Sequence, residues 1–356
     1  MLGHTVCHCT ATVVAMSWIQ AEGNVAMGDH TERQTDSAIV ELDAVVPEEF
    51  SGIRVDRVAV LMFAEQRRQS GVSRVEIARW LRDGSLTVDG RTVKPKTPVR
   101  GGERLRVRTV RPARFDWNAA QDVAFEVVYE DEGVIVVDKP PGLVVHPGAG
   151  NADGTLVNGL LRRRPELAKL PRAGLVHRLD KDTSGLLVVA AQPGSRAVLT
   201  SAMAERRIER EYSGVIEGQL IADRRIEANI GRDPSNRLRY RVRSDGRPAV
   251  THLAVRQRFP AHTFVAARLE TGRTHQIRVH LASIGHPLVG DRRYGARGVV
   301  PPGANPDAII IIRGFHRQAL HAARLAFEHP DSGEPMRFES ALPDDMTRLL
   351  AALRGD

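Results

Sequence analysis

Between Ile53 and Arg108 the apolar positions recur at short helical spacings, interrupted by arginines. Val55, Val58 and Met62 fall on one side of a helix drawn over Arg54 to Phe63. Ser73-Arg74-Val75-Glu76 has the spacing of a capping box, and Ile77, Ala78, Trp80 and Leu81 give the helix that follows an apolar side, ended by Gly84. Leu86-Thr87-Val88, Asp89-Gly90 and Arg91-Thr92-Val93 then predict a tight hairpin, because Asp-Gly tolerates the positive φ angles of its turn. Arg54, Arg57, Arg67, Arg68, Arg74, Arg79 and Arg82 stud this unit. Two arginine-rich helices and a hairpin suit a small RNA-binding module over 53–108; the plainer alternative is a solvated helix pair.

After a polar, proline-containing linker at 109–122, the pattern changes to longer apolar runs. Phe125–Tyr129 and Val134–Val137 predict two strands, the second without polar interruption and hence buried on both faces. Leu186–Ala190 repeats that character, and Tyr212–Ile216, Phe264–Leu269 and Leu325–Phe327 are further strand candidates. Ile277, Leu281 and Ile284 recur at helical spacing. Strands with helices interspersed irregularly predict an α+β catalytic-size domain over 123–352, not a regular βαβ array. Residues 296–312, with Pro301-Pro302-Gly303 and four consecutive isoleucines, fit no element by pattern.

The 356 residues are 42% hydrophobic and 26% charged, which marks a soluble globular chain rather than a disordered one. A formal charge of +8 favours polyanionic partners, and Arg162-Arg163-Arg164 with Arg237, Arg239, Arg241 and Arg243 makes nucleic acid the leading class. Both cysteines, Cys7 and Cys9, lie near the start, where they can staple nothing distant; a reducing cytoplasm is the expected compartment. His4, Cys7, His8 and Cys9 fit no zinc spacing. The apolar patch Val13 to Ile19 is too short to span a membrane and lacks a preceding basic residue, so residues 1–45 are expected to be an unstructured leader, with Met27 an alternative start.

No phosphate loop, dinucleotide fingerprint or nucleophile elbow occurs; Gly148 to Gly154 has the wrong spacing. An enzyme here works with side chains alone. The densest polar cluster is His177-Arg178-Leu179-Asp180-Lys181-Asp182-Thr183-Ser184-Gly185, a loop set against a buried strand. His177, Asp180 and Asp182 could hold a metal, as in a metal-dependent nuclease, although Arg178 and Lys181 would repel the cation; equally, Asp-x-Thr-Ser-Gly can be a plain turn. A second cluster runs from Thr271 to His280. Thr274 can cap the next helix, which puts Arg273 just outside its N-terminus, placed to pair with a carboxylate or to grip a phosphate. Tyr212, in Glu209-Arg210-Glu211-Tyr212, either stacks on a base or packs in the core.

Together these segments closely resemble the RluA/RluD-type pseudouridine synthases. The matching text is His177 to Leu187, Arg210-Glu211-Tyr212 and Thr271–Leu281, supported by Asp138-Lys139-Pro140-Pro141-Gly142 through His146-Pro147, Gly290-Asp291, Tyr294-Gly295 and Arg317 to Ala322. The likeness covers residues 125–350, and the 53–108 module resembles the S-four-like domain that many such enzymes carry upstream, which points to the large-subunit ribosomal RNA branch. It implies a mixed, largely antiparallel central sheet with flanking helices. It also implies a monomeric enzyme that isomerises uridine in structured RNA without cofactor or metal and without a membrane. By the same resemblance Asp180 is the catalytic carboxylate, Tyr212 the base-stacking tyrosine and Arg273 the arginine paired with the aspartate. Arg178, with His177 and Lys139, would contact RNA and support base flipping. Transfer RNA as substrate and a non-catalytic RNA-binding or ribosome-assembly role are the alternatives. The leader, a long 298–314 stretch and His316 in place of a frequent proline depart from the family pattern.

Overall fold

The computed structural model describes residues 38–62, 74–111, 119–148, 151–236 and 238–355, which divide into two compact units at Phe115/Asp116. The Cys7–Cys9 segment, most of the leader, Ser73 of the capping box and Arg237 lie outside the described residues.

The first unit contains β1 (Ala38–Val45), α1 (Val55–Met62), α2 (Arg74–Asp83), β2 (Leu86–Val88) and β3 (Arg104–Arg111). Its sheet has the order β1-β3-β2, antiparallel throughout. Val55, Val58, Ile77, Trp80 and Leu81 from the helices pack against Leu86, Leu105 and Val107 from the sheet. Along β3 the inward Leu105 and Val107 alternate with exposed Arg104, Arg106 and Arg108, the period-2 pattern of a strand with one wet face. Two expectations are corrected here. Residues 38–45 are a paired strand, so the leader ends earlier than position 45; and β3 carries the first unit through Arg111, into the expected linker. The Asp89-Gly90 turn forms, with φ of 47° and 76°, but the returning arm is a single Val88–Arg91 bridge. The ladder partner of β2 is β3, because Leu105 and Val107 supply the apolar face that Arg91 and Thr92 lack.

The second unit is built on β4 (Glu126–Glu130), β5 (Val134–Lys139), α3 (Leu156–Arg163), β6 (Ser184–Ala190), α4 (Pro193–Ala204), β7 (Glu209–Glu217), β8 (Arg224–Glu227), β9 (Ile230–Arg232), β10 (Tyr240–Val242), β11 (Val250–Arg258), β12 (His262–Leu269), α5 (Gln276–Ser283), α6 (Pro306–Gly314), β13 (Leu320–Glu328), β14 (Pro335–Glu339) and α7 (Asp344–Arg354). The main sheet runs β4-β5-β6-β13-β7-β12-β11-β8, with β14 joined to the far half of β13, and β9 pairs with β10 as a separate hairpin. Every pairing is antiparallel except β6 with β13. The α+β, largely antiparallel sheet expected from the sequence is therefore present. β5 and β6 read as unbroken apolar runs because both sheet faces are covered there. One face carries Ile135, Leu187, Tyr212 and Leu253 under α3 and α5. The other carries Val134, Val188 and Leu325 under α4, and Val215 under α6 and α7. The isoleucine run at 309–312 is helical, started by Asn305, whose Oδ1 accepts from Ala308 N at 2.7 Å; Ile312 is buried and Ile310 exposed.

Candidate active site

Asp180 sits in the loop that leads into β6, at the point where β6 and β13 begin to run side by side. Thr183 N donates to Asp180 O at 3.1 Å, closing the turn. Gly185 follows with φ +108°, and a Cβ there would stand 2.3 Å from Ala322 O, so only glycine lets the two parallel strands approach. The loop is clamped from two directions. Lys139 Nζ donates to Pro140 O (2.8 Å), Leu143 O (3.0 Å) and Lys181 O (2.9 Å). Opposite, Arg317 Nη1 donates to Asp182 O at 3.0 Å and Gln318 Nε2 to Thr183 Oγ1 at 3.1 Å. Arg317 is itself fixed by both carboxylate oxygens of Asp345, at 2.6 and 2.7 Å. The Asp138–Gly142 and Arg317–Ala322 segments thus share one task, holding the aspartate loop rigid.

The carboxylate of Asp180, 17% exposed, receives Arg278 Nη1 at 2.9 Å on Oδ2. Arg278 projects from the first turn of α5 and also grips Asp291 through Nε (2.6 Å) and Nη2 (2.9 Å), while its guanidinium lies 4.9 Å from the centre of the Tyr294 ring. Burial opposes its charge, but the Asp291 and Asp180 carboxylates outweigh that and hold the guanidinium protonated. His275 stands on the other side of Asp180, Nε2 to Oδ1 3.9 Å, in the left-handed region at φ 57°. Tyr294 Oη accepts Tyr240 N–H at 3.0 Å and shares a 2.6 Å hydrogen bond with His275 Nδ1, which fixes the imidazole so that Nε2 faces Asp180. Burial lowers the His275 pKa, which keeps the ring neutral at neutral pH.

Tyr212 lies on the covered face of β7, 6% exposed, within electrostatic reach of Asp180. Burial raises its phenol pKa, so the ring is neutral. Arg178, two residues from Asp180, is exposed and makes no ion pair among the described residues.

Three sequence expectations are corrected by this geometry. Arg273 does not reach Asp180; its Nε donates to Pro248 O at 3.1 Å, and Arg278 takes the pairing. The helix starts at Gln276 rather than after Thr274, and the Gln276 side chain accepts Arg273 N (3.0 Å) and the Thr271 hydroxyl (2.7 Å), which turns Arg273 outward. Lys139 is fully buried with three carbonyls on its ammonium; burial holds its pKa down at about 8, and it has no donor left for RNA. His177 faces β6, its Nε2 accepting Val188 N–H at 3.1 Å, and burial pushes its pKa to about 3, so it braces the loop as a neutral ring. Asp291, Tyr294, His275 and Tyr240 complete the site but had no assigned role in the sequence reading. An arginine at helical spacing from buried Ile277 and Leu281 was the available signal that Arg278 needed carboxylate partners. His177, Asp180 and Asp182 form no metal cluster; among the described residues no three His, Cys, Asp or Glu side chains are grouped to hold an ion.

A carboxylate pinned by a buried guanidinium, beside a neutral tyrosine and an exposed arginine, is an arrangement that can do acid–base or covalent work. The sequence matches the RNA pseudouridylate synthase family over residues 133–283 and the S4 domain over 54–105. A Xanthomonas campestris pv. campestris protein described as ribosomal large subunit pseudouridine synthase D is 47% identical over 330 residues, covering 93% of this chain and 97% of that one. The Pseudomonas aeruginosa protein of the same description is 45% identical over 320 residues, covering 90% and 98%. In fold, the structure of human RNA pseudouridylate synthase domain containing 4 aligns with a TM-score of 0.50 at 21% identity, over 64% of this chain and 93% of that one. The chain belongs to the RNA pseudouridylate synthase family and is an RluD-type pseudouridine synthase, an isomerase, preceded by an S4 RNA-binding domain.

Proposed function

We propose that this enzyme converts specific uridines of large-subunit ribosomal RNA to pseudouridine, in the cytoplasm, with Asp180 as the reacting carboxylate. The substrate assignment is supported by relatives that share 43–47% of their sequence with it over most of both chains and are described as large-subunit ribosomal enzymes. Supporting the assignment of Asp180 is its 2.9 Å pairing with a guanidinium that is itself buried and doubly held.

The target nucleotide turns out of the RNA stack, and its base enters beside Tyr212, whose ring offers a flat apolar surface. Arg178 fills the gap left in the stack. The bond between uracil N1 and ribose C1′ breaks, the base rotates, and C5 bonds to C1′. The C5 proton leaves and N1 takes one up, so atoms and electrons balance with no outside reagent. Asp180 either adds to the sugar or withdraws a proton from it. In both routes the Arg278 guanidinium holds the carboxylate in place. Its second partner, Asp291, fixes the guanidinium so that it does not follow Asp180 as the reaction proceeds.

Pseudouridine mapping on ribosomal RNA incubated with the wild type or with Asp180→Asn tests this reading. New pseudouridines from the wild type alone are expected. Their absence from ribosomal RNA but presence in transfer RNA would overturn the substrate, and equal activity of Asp180→Asn would overturn the role of Asp180.

A further inference from the structure

Arg210 precedes Tyr212 by two positions on β7, so both side chains leave the strand on the face that carries the site. It is 7% exposed. A guanidinium brings a full charge and five N–H donors, and buried ones are paired as a rule because an uncompensated buried charge is strongly destabilising. Arg278, 6% exposed, obeys the rule with two carboxylates. Arg210 does not. Among the described residues none of its nitrogens has a hydrogen bond or ion pair, and Nε is sealed from solvent without an acceptor. The nearby Arg206 and Arg207, by contrast, pair with Glu270 and Glu205.

Its surroundings locate the free guanidinium between the two loops that form the site. A Cβ on Gly272 would lie 3.1 Å from Arg210 Nη1, so the guanidinium packs closely against the Thr271–Thr274 turn. On the other side, the Arg210 charge reaches His177, in the Asp180 loop, and the Tyr212 hydroxyl, lowering the pKa of both against or alongside burial. Among the described residues no acidic side chain pairs with it. A neutral carbonyl of uracil could accept a hydrogen bond there but would leave the charge uncompensated.

We propose that Arg210 is the binding residue for a backbone phosphate of the RNA, at or next to the flipped nucleotide. This rests on the reading that the site at Asp180 and Tyr212 receives the uridine. A base drawn to that site brings its flanking phosphates alongside, and the planar guanidinium fork matches two phosphate oxygens at once. Bound RNA then supplies the counter-charge that the free enzyme lacks.

The test combines thermal melting of the free enzyme with RNA binding by the wild type, Arg210→Met and Arg210→Lys, using a large-subunit ribosomal RNA transcript over a range of salt. Phosphate-ethylation interference on the same transcript locates individual contacts. A residue that merely supports the fold would lower the melting temperature when replaced. Here Arg210→Met is expected to melt no lower than the wild type, bind RNA at least about tenfold more weakly, and show a salt slope reduced by about 0.7–0.9. One interfering phosphate of the wild type should disappear from the Arg210→Met pattern, and Arg210→Lys should retain the salt slope with weaker binding. Unchanged affinity and slope in Arg210→Met, or an ethylation pattern identical to the wild type in that variant, overturns the proposal; if Arg210→Met proves unstable, wild-type affinity of Arg210→Lys overturns it. Wild-type turnover on the transcript is scored separately. An enzyme that binds but makes no pseudouridine would overturn the functional reading while the phosphate contact stands or falls on the binding data.

Discussion

Nη1 of Arg278 lies 2.9 Å from Oδ2 of Asp180, across 98 positions of sequence. The same guanidinium holds Asp291, which is 2% exposed, so one cation serves both a buried structural carboxylate and the partly exposed Asp180.

Removing that cation leaves Asp291 buried without a partner. Arg278→Ala is expected to lose about 3–5 kcal/mol of stability, whereas Arg273→Ala, which gives up one bond to a carbonyl, loses at most about 1.5. Urea unfolding of the two variants side by side checks this. Equal losses would mean the guanidinium of Arg278 is not the one that matters.

Gly185→Ala has no space for its methyl group, which would meet Ala322 O at 2.3 Å in a backbone conformation disfavoured for L side chains. The β6–β13 pairing must open, and the Asp180 loop moves with it. We expect at least about a tenfold fall in turnover, since small misplacements of a reacting group are costly. Single-turnover assays at saturating RNA report it; wild-type turnover would show that the loop is not tied to that register.

His177 gives a pH signature. Its pKa is about 3 in the fold against an ordinary value of 6.5, so the folded state binds fewer protons than the unfolded state between those values. The associated stability is complete above pH 6.5 and declines as pH falls toward 3. His177→Gln can still accept from Val188 N–H but has no proton to gain. Its stability should decline with a slope lower by up to about 1.4 kcal/mol per pH unit in that window. Identical slopes for variant and wild type would rule out a buried neutral imidazole.

Glu217, 4% exposed, closes the loop after Tyr294: its carboxylate accepts Arg297 N at 2.9 Å and Gly298 N at 2.8 Å. Glu217→Gln weakens charge-assisted bonds to these amides and offers them an NH2 group on one side. Hydrogen exchange at Arg297 and Gly298 should accelerate, with about 1–3 kcal/mol lost overall. Unaltered exchange would place the restraint on this loop elsewhere.

Much of the second unit's architecture was legible from local pattern. The unbroken runs at β5 and β6 announced strands covered on both faces, and Ile277, Leu281 and Ile284 marked α5. The loop of Asp180 stood out by its density of polar residues against a buried strand. The strand at 38–45 escaped notice because its pairing partner, β3, lies more than fifty positions downstream, as Leu42 opposite Val107 illustrates. The helix at 306–314 escaped because four adjacent isoleucines carry no helical period; the cap at Asn305 and the burial of Ala308 and Ile312 fix its face.

The sequence by itself determined the element types, the basic character of the chain and the motif that carries Asp180, since these follow from neighbours within a turn or a strand. Only the tertiary structure decided which charge answers which. Arg273 and Arg278 sit five positions apart in one motif, and the start of α5 at Gln276 sends one outward to Pro248 and the other inward to Asp180 and Asp291. Lys139 looks like a surface cation in the sequence, yet three carbonyls brought together by the fold surround its ammonium. Arg210 looks like any other arginine until its burial shows that no carboxylate of the described chain meets it. The reason is the same in each case: a charge takes its role from what surrounds it in space, and residues distant along the chain supply those surroundings.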